Sequence, residues 1–177
     1  MRDTANSSVK ATSMNPETEK LMQQLDQQYE GAAMKPLYTA TVTVTPGQAG
    51  HARMSGHAHS SDGLLDLDLA FPTELGGHGK GTNPEQLFAA GYAACFHGAL
   101  ALVARKAGVD ASKAKVTCAV TIGRDPADGG YMLAAQMVID IPDTERKKAE
   151  QIVAQADQLC PYSKAIRGNI NVRMTVV

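Results

Sequence analysis

The stretch NPEQLFAAGYAACFHGALALVARKAG, residues 83–108, reads as one long helix. Asn83 suits the N-cap, Pro84 the first helical position, Glu85 the first turn and Gly108 the stop, which predicts a helix from Pro84 to about Ala107. From Leu87 to Ala104 the stretch has no formal charge, so its length approaches that of a membrane span. Ala and Gly dominate it, however, and His97 lies inside; these residues contribute little transfer energy beside Leu, Ile or Phe. A buried helix is expected, with no membrane insertion.

Working outward, YTATVTVT (38–45) alternates Thr with small or β-branched residues and ends at Pro46-Gly47, the signature of a strand. A second extended run is expected from His51 to Ser60, then a turn at Asp62-Gly63. In LLDLDLAF, Leu65, Leu67 and Leu69 share one face, with Asp66 and Asp68 on the other. These strands form an antiparallel meander before PTELGGHGKGTNP, a Gly-rich loop read as a flexible lid. Beyond the helix, Lys115–Arg124 and Tyr131–Ile141 pair across Asp128-Gly129-Gly130, Thr144 caps a second helix reaching Cys160, and Pro161 bars its continuation. NINVRMTVV closes as a strand. The order βββ, long helix, ββ, helix, β predicts an α+β fold without repeats or a βαβ run.

Residues 1–35 are polar and predict a mobile N-terminal extension holding one short helix around Leu21, Met22, Leu25 and Tyr29; residues 36–177 form the folded domain. The first residues lack the apolar core of a secretory signal, so export by that route is not expected. Seventeen basic against eighteen acidic side chains give no field for nucleic acid, and three cysteines without a C-x-x-C pair make neither a disulfide framework nor a thiolate zinc site. A reducing cytoplasm is the expected location.

Cys95 lies in mid-helix, with Leu87, Gly91 and Leu102 near one side and Phe88, Tyr92 and Ala99 beside them. Such a thiol is either a small packing residue or a nucleophile kept from water. Cys160, at the end of the second helix, faces the negative end of a helix dipole, which makes Cys95 the better thiolate. PYSKAIRGN after Cys160 reads as a loop free to swing, which suits a resolving cysteine; two unrelated core thiols remain the alternative. A buried thiol needs a cation to ionise, and the candidates are Arg53, Arg167, Arg105 and the histidines. Arg53 lies on the early hairpin, and Glu85 is able to hold it by a bidentate contact. Glu85 precedes Cys95 by ten residues, roughly 15 Å along a helix, so it serves its own Cys95 poorly, and a route across a subunit interface is expected.

The other motifs carry less. His57 and His59 share a strand face but have no third ligand at fixed spacing, so no metal or other cofactor is expected. GGHGKG lacks the P-loop pattern. Cys118, in an alternating strand, reads as core.

GTNPEQLFAAGYAACFHGAL and CPYSKAIRGNINV, set behind LYTATVTVT and SSDGLLDLDLAFPTELGG, resemble the organic hydroperoxide resistance (Ohr) proteins of the OsmC/Ohr superfamily from about Leu37 to the C-terminus. The resemblance implies antiparallel sheets wrapped around two central helices in an intertwined homodimer with shared active sites. It implies a cysteine-based thiol peroxidase acting on alkyl or fatty-acyl hydroperoxides, reduced by dihydrolipoamide or a lipoylated protein. By motif, Cys95 matches the peroxidatic cysteine, Cys160 the resolving one and Glu85 the family glutamate, with Phe88, Tyr92 and Phe96 expected around the substrate. A G-R-x-G turn in the family supplies an arginine where this chain has PGQAG. Gln48 therefore stands at the arginine position, and Arg53 is expected to take the role through a shifted hairpin. The rival reading is a non-catalytic redox sensor of the same fold.

Overall fold

The computed structural model describes residues 15–25 and 27–177. The chain divides into two compact units, Met1–Lys35 and Pro36–Val177. In the first, helix α1 (Pro16–Leu25) begins behind Asn15, whose side chain accepts from the Glu17 backbone N–H at 2.9 Å. Residues 1–14 and 26 of the expected extension lie outside the described residues.

The second unit holds two three-stranded sheets. Sheet 1 is the expected meander of β1 (Val42–Pro46), β2 (Gly56–Ser60) and β3 (Asp66–Ala70), antiparallel throughout. The run expected to be extended from His51 is instead a helical turn, α2 (Ala52–Ser55), ahead of β2. Ser55 explains the difference: its carbonyl accepts from the Gly47 N–H and its hydroxyl from the Ala49 N–H at 2.9 Å, which folds the segment back on the end of β1. Only glycine permits that closure, since a Cβ at Gly47 would stand 2.1 Å from the Ser55 carbonyl oxygen.

The Gly-rich loop read as a lid is stitched to β3. Gly77 N–H donates to Pro72 O (3.0 Å), Gly79 N–H to Phe71 O (3.2 Å) and Thr82 N–H to Asp68 O (2.8 Å), while Ala70 N–H donates to Thr82 O (2.9 Å). Its glycines serve close approach: a Cβ on Gly77 would meet Phe71 O at 2.1 Å.

Helix α3 (Pro84–Lys106) follows, with Asn83 accepting from the Gln86 N–H at 2.9 Å and Pro84 in its first turn. Sheet 2 consists of β4 (Lys115–Arg124), β5 (Tyr131–Asp140) and β6 (Asn171–Val176). Strands β4 and β5 pair antiparallel, but β5 and β6 pair parallel, which corrects the expectation of purely antiparallel sheets. The cause is the connection: α4 (Arg146–Leu159) and α5 (Pro161–Ile166) carry the chain back to the start of the sheet, so β5 and β6 form the crossover unit whose absence was expected. The cap of α4 is Glu145, whose carboxylate accepts from Lys147 and Lys148 N–H at 3.0 and 3.1 Å; the Thr144 hydroxyl turns away to Pro142 O.

The core lies between sheet 2, α3, α4 and α5. On β5, Ala135, Met137 and Ile139 are buried and alternate with Gln136 and Val138, which are exposed. From α3, Tyr92, Phe96, Leu100 and Ala104 enter the same core, and from α4, Ile152, Val153 and Ala156. Helix α3 is long and apolar enough to cross a membrane by length and composition, and its residues Tyr92, Phe96, Ala99, Leu100, Val103 and Ala104 are buried in this core. Each large aliphatic side chain buried there contributes about 1.5–3 kcal/mol.

Candidate active site

The core helix carries a line of side chains on one side: Glu85, Phe88, Tyr92 and Cys95, at steps of three, four and three residues. At its inner end, Cys95 meets Cys160, which caps both the end of α4 and the start of α5. The two sulfur atoms are 3.6 Å apart, both thiols being free. Cys160 is fully buried and Cys95 half-buried. Burial pushes the Cys95 thiol above its ordinary value; the Tyr162 backbone N–H, directed at the sulfur, opposes the rise, and the neighbouring Cys160 adds to it.

The segment after Cys160, expected to be a free loop, is helix α5. Pro161 stops α4 yet suits the first position of a new helix, where its missing N–H costs nothing. The corner is held from both sides: Cys160 N–H donates to Ala156 O (2.8 Å), Lys164 N–H to Cys160 O (3.0 Å), and the Tyr92 and Ser163 hydroxyls meet at 2.9 Å in a buried pair. The Tyr162 ring stacks on Tyr92, 6.0 Å between centroids at 17°, and lies over Gly91, where a Cβ would come within 2.9 Å of its hydroxyl. Tyr162 and Ser163 were not singled out in the sequence, although they adjoin Cys160 in the quoted motif. Their signal was the Tyr-Ser pair directly after Cys-Pro, hidden by reading the segment as mobile.

At the outer end of the same line, Arg53 Nη2 donates to Glu85 Oε1 and Oε2 at 2.8 and 3.0 Å. The pair is formed within one chain. Arg53, Glu85 and Phe88 line a cavity of about 490 Å³ with Ile122, Met132 and Leu133. Gln48 stays exposed in the turn after β1, beside a different hollow bordered by His57 and Lys80. Of the three aromatic residues expected around a substrate, Phe88 alone borders the Arg53–Glu85 cavity; Tyr92 and Phe96 are fully buried in the core. Phe88 links the two ends, with its ring 6.1 Å from that of Tyr162. Among the described residues, no guanidinium takes part in setting the Cys95 thiol.

His57 bridges Asp66 and Asp68 at 3.0 Å each, and His59 approaches Asp66 at 3.5 Å. No group of metal-binding side chains occurs among the described residues. Cys118 is half-buried against the core, and burial raises its thiol.

An α+β domain with two adjacent thiols at the middle of a core helix and an ion pair at its N-terminal end defines a paired-cysteine protein. Comparison with known proteins narrows the class. Residues 77–175 match the family described as OsmC-like protein. The chain is 43% identical over 138 residues to the organic hydroperoxide resistance protein OhrB of Bacillus subtilis, covering 78% of this chain and 96% of that one. The crystal structure of OhrB superposes with a TM-score of 0.70 over 80% of this chain. A relative from Xanthomonas axonopodis pv. citri, named organic hydroperoxide resistance protein, is 44% identical over 144 residues, 80% of this chain and 96% of its own length. A structure from Legionella pneumophila titled as an organic hydroperoxide resistance protein OsmC gives a TM-score of 0.72 at 44% identity, over 80% of this chain and 98% of that one. The chain belongs to the OsmC/Ohr family.

Proposed function

We propose that this protein is a cysteine-based peroxidase that reduces organic hydroperoxides to alcohols. The observation that carries the reading is the 3.6 Å separation of Cys95 and Cys160, supported by relatives named for hydroperoxide resistance. A disulfide needs the sulfurs at about 2.05 Å, so closure asks for a shift of about 1.5 Å.

The Cys95 thiolate attacks the distal oxygen of the hydroperoxide, the O–O bond breaks, and the alkoxide leaves as the alcohol after taking up a proton. Cys95 becomes a sulfenic acid. The Cys160 thiol condenses with it, releasing water and forming the disulfide. A dithiol reductant of the dihydrolipoyl class, expected from the family, then exchanges with that disulfide and leaves both cysteines reduced and itself as a cyclic disulfide.

Arg53, oriented by Glu85, is the group assigned to support the charge on the transferring oxygen. Its partner Glu85 sits about 15 Å along α3 from Cys95 of the same chain, so the pair of one chain serves the sulfur of a second copy in a homodimer. The faces left open in a single chain suit such pairing: Ala90, Ala94 and Gly98 lie exposed on α3, and Val42 and Val44 on β1 are 47% and 48% exposed.

The test is consumption of cumene hydroperoxide with dihydrolipoamide. The wild type turns over, and one equivalent of hydroperoxide without reductant lowers its mass by two hydrogens. Cys95→Ser consumes nothing, and Cys160→Ser is oxidised to a dimedone-reactive sulfenic acid without an internal disulfide. Continued consumption by Cys95→Ser ends the reading.

A further inference from the structure

Arg53 has a long, flexible side chain on a helical turn of four residues, and the ion pair to Glu85 engages only one nitrogen of its guanidinium, Nη2. A second group lies beside it. The Arg53 Cζ lies over the Phe71 ring, 5.8 Å from the centroid, within the range where a cation is drawn to an aromatic face. The His51 ring, at the N-cap of α2, lies 6.3 Å from the other ring centroid.

Phe71 is itself firmly placed. It follows β3, its carbonyl accepts from the Gly79 N–H at 3.2 Å, and Gly77 approaches that carbonyl more closely than any other residue would allow. An isolated bridge joins Ser55, the last residue of α2, to Ala70, next to Phe71. The turn bearing the arginine and the ring beneath it are thus fastened together at one point.

We propose that Phe71 is a positioning residue for Arg53: its ring underlies the guanidinium while Glu85 holds one of its nitrogens. The inference rests on the peroxidase reading and adds to it a residue that never touches substrate. Two contacts from different side chains restrain a planar cation in orientation as well as in place, which a single ion pair does not. The ring costs the arginine no charge and no donor, so the outward-facing N–H groups stay available for a developing oxyanion.

The test compares Phe71→Leu, which keeps apolar volume and loses the π face, with Phe71→Tyr, which keeps both. Rates of Cys95 oxidation by cumene hydroperoxide are measured for each, alone and in an Arg53→Ala background. The expected loss in Phe71→Leu is on the order of threefold, with Phe71→Tyr near wild type and no further loss when Arg53 is already Ala. In parallel, the Arg53 Nε–Hε resonance, shifted by the ring current, moves in Phe71→Leu and stays in Phe71→Tyr. Equal rates for Leu and Tyr, the same threefold loss without Arg53, or an unmoved resonance overturns the proposal. Those results leave the peroxidase reading intact as long as Arg53→Ala is slow and Cys95→Ser is dead; a fully active Arg53→Ala removes both Arg53 and Phe71 from the site.

Discussion

The two ends of one helix face differ in how they are built. At the inner end, Cys95 and Cys160 are brought together by the same contacts that fold the domain: α3 against α4, the buried Tyr92–Ser163 hydroxyl pair, and the Tyr162 ring over Gly91. At the outer end, Arg53 and Glu85 meet through a short turn stitched to β1 and β3, with side chains 31% and 14% exposed. The lesson is that the two sulfurs are brought together by core packing, whereas the ion pair proposed to assist them is a local addition. Changes at the first end therefore disturb stability and chemistry together, and changes at the second disturb chemistry alone.

The largest test of that contrast is at the outer end. Arg53→Ala removes a preorganised cation from the oxygen that takes up charge, and a loss of roughly a hundredfold in the rate of hydroperoxide reduction is expected, in line with losing one oxyanion donor. The same change removes a partly exposed ion pair worth about 0–1 kcal/mol, so the melting temperature falls by no more than about 2–4 °C. Glu85→Gln weakens the same step by loosening the guanidinium. Stopped-flow kinetics and calorimetry on the same samples check both. A large fall in melting temperature with little loss of rate would reverse the contrast.

The inner end behaves oppositely. Tyr92→Phe leaves the Ser163 hydroxyl, 2% exposed, without its partner, at a cost of about 1–3 kcal/mol. Ser163 lies on α5, immediately beyond the Cys160-Pro161 corner, so closure of the disulfide slows as the melting temperature drops. Thermal unfolding and the rate of disulfide formation after one equivalent of oxidant are the measurements. A variant that melts lower but closes its disulfide at the wild-type rate would separate packing from chemistry at this end.

Much of the inner end was legible in sequence, for reasons of local chemistry. Asn83-Pro84 marks the start of α3 because a capping amide and a proline each solve a problem specific to helix N-termini, and the alternation in KVTCAVTIGR fixes β4 to its end residues. Pro161 misled because one residue both ends a helix and begins the next; its effect depends on whether the following residues find partners, as Ser163 does in Tyr92. The parallel pairing of β5 and β6 is a property of the connection between them, invisible in either strand. Gly47 gives no local sign that it permits the chain to fold back on Ser55, so α2 read as strand. The Arg53–Glu85 contact was legible as chemistry, though not as geometry within one chain, because residues 32 apart in sequence carry no fixed distance.

pH separates the regions more finely. The thiols of Cys95 and Cys118 and the Tyr92 phenol are all raised by burial, above ordinary values of 9.0, 9.0 and 10.0. A folded-state value above the unfolded one favours the protonated form in the fold, so this stability is complete below the ordinary value and is lost as pH rises through the raised one. The domain therefore loses stability above about pH 9. On sheet 1, His57 is raised by its hydrogen bond to Asp68 and by the Asp66 charge, above an ordinary 6.5. The same sign applies: its contribution is complete below pH 6.5 and fades as pH rises through the raised value. Being on the surface with its side chain 43% exposed, it yields the smallest effect of the set. Melting temperatures against pH should show a shallow decline past neutrality that His57→Gln abolishes and a steeper alkaline fall that it leaves untouched. If His57→Gln removed the alkaline fall too, the surface of sheet 1 and the thiol-bearing core would be energetically joined, against the separation drawn between stitched surface and packed interior.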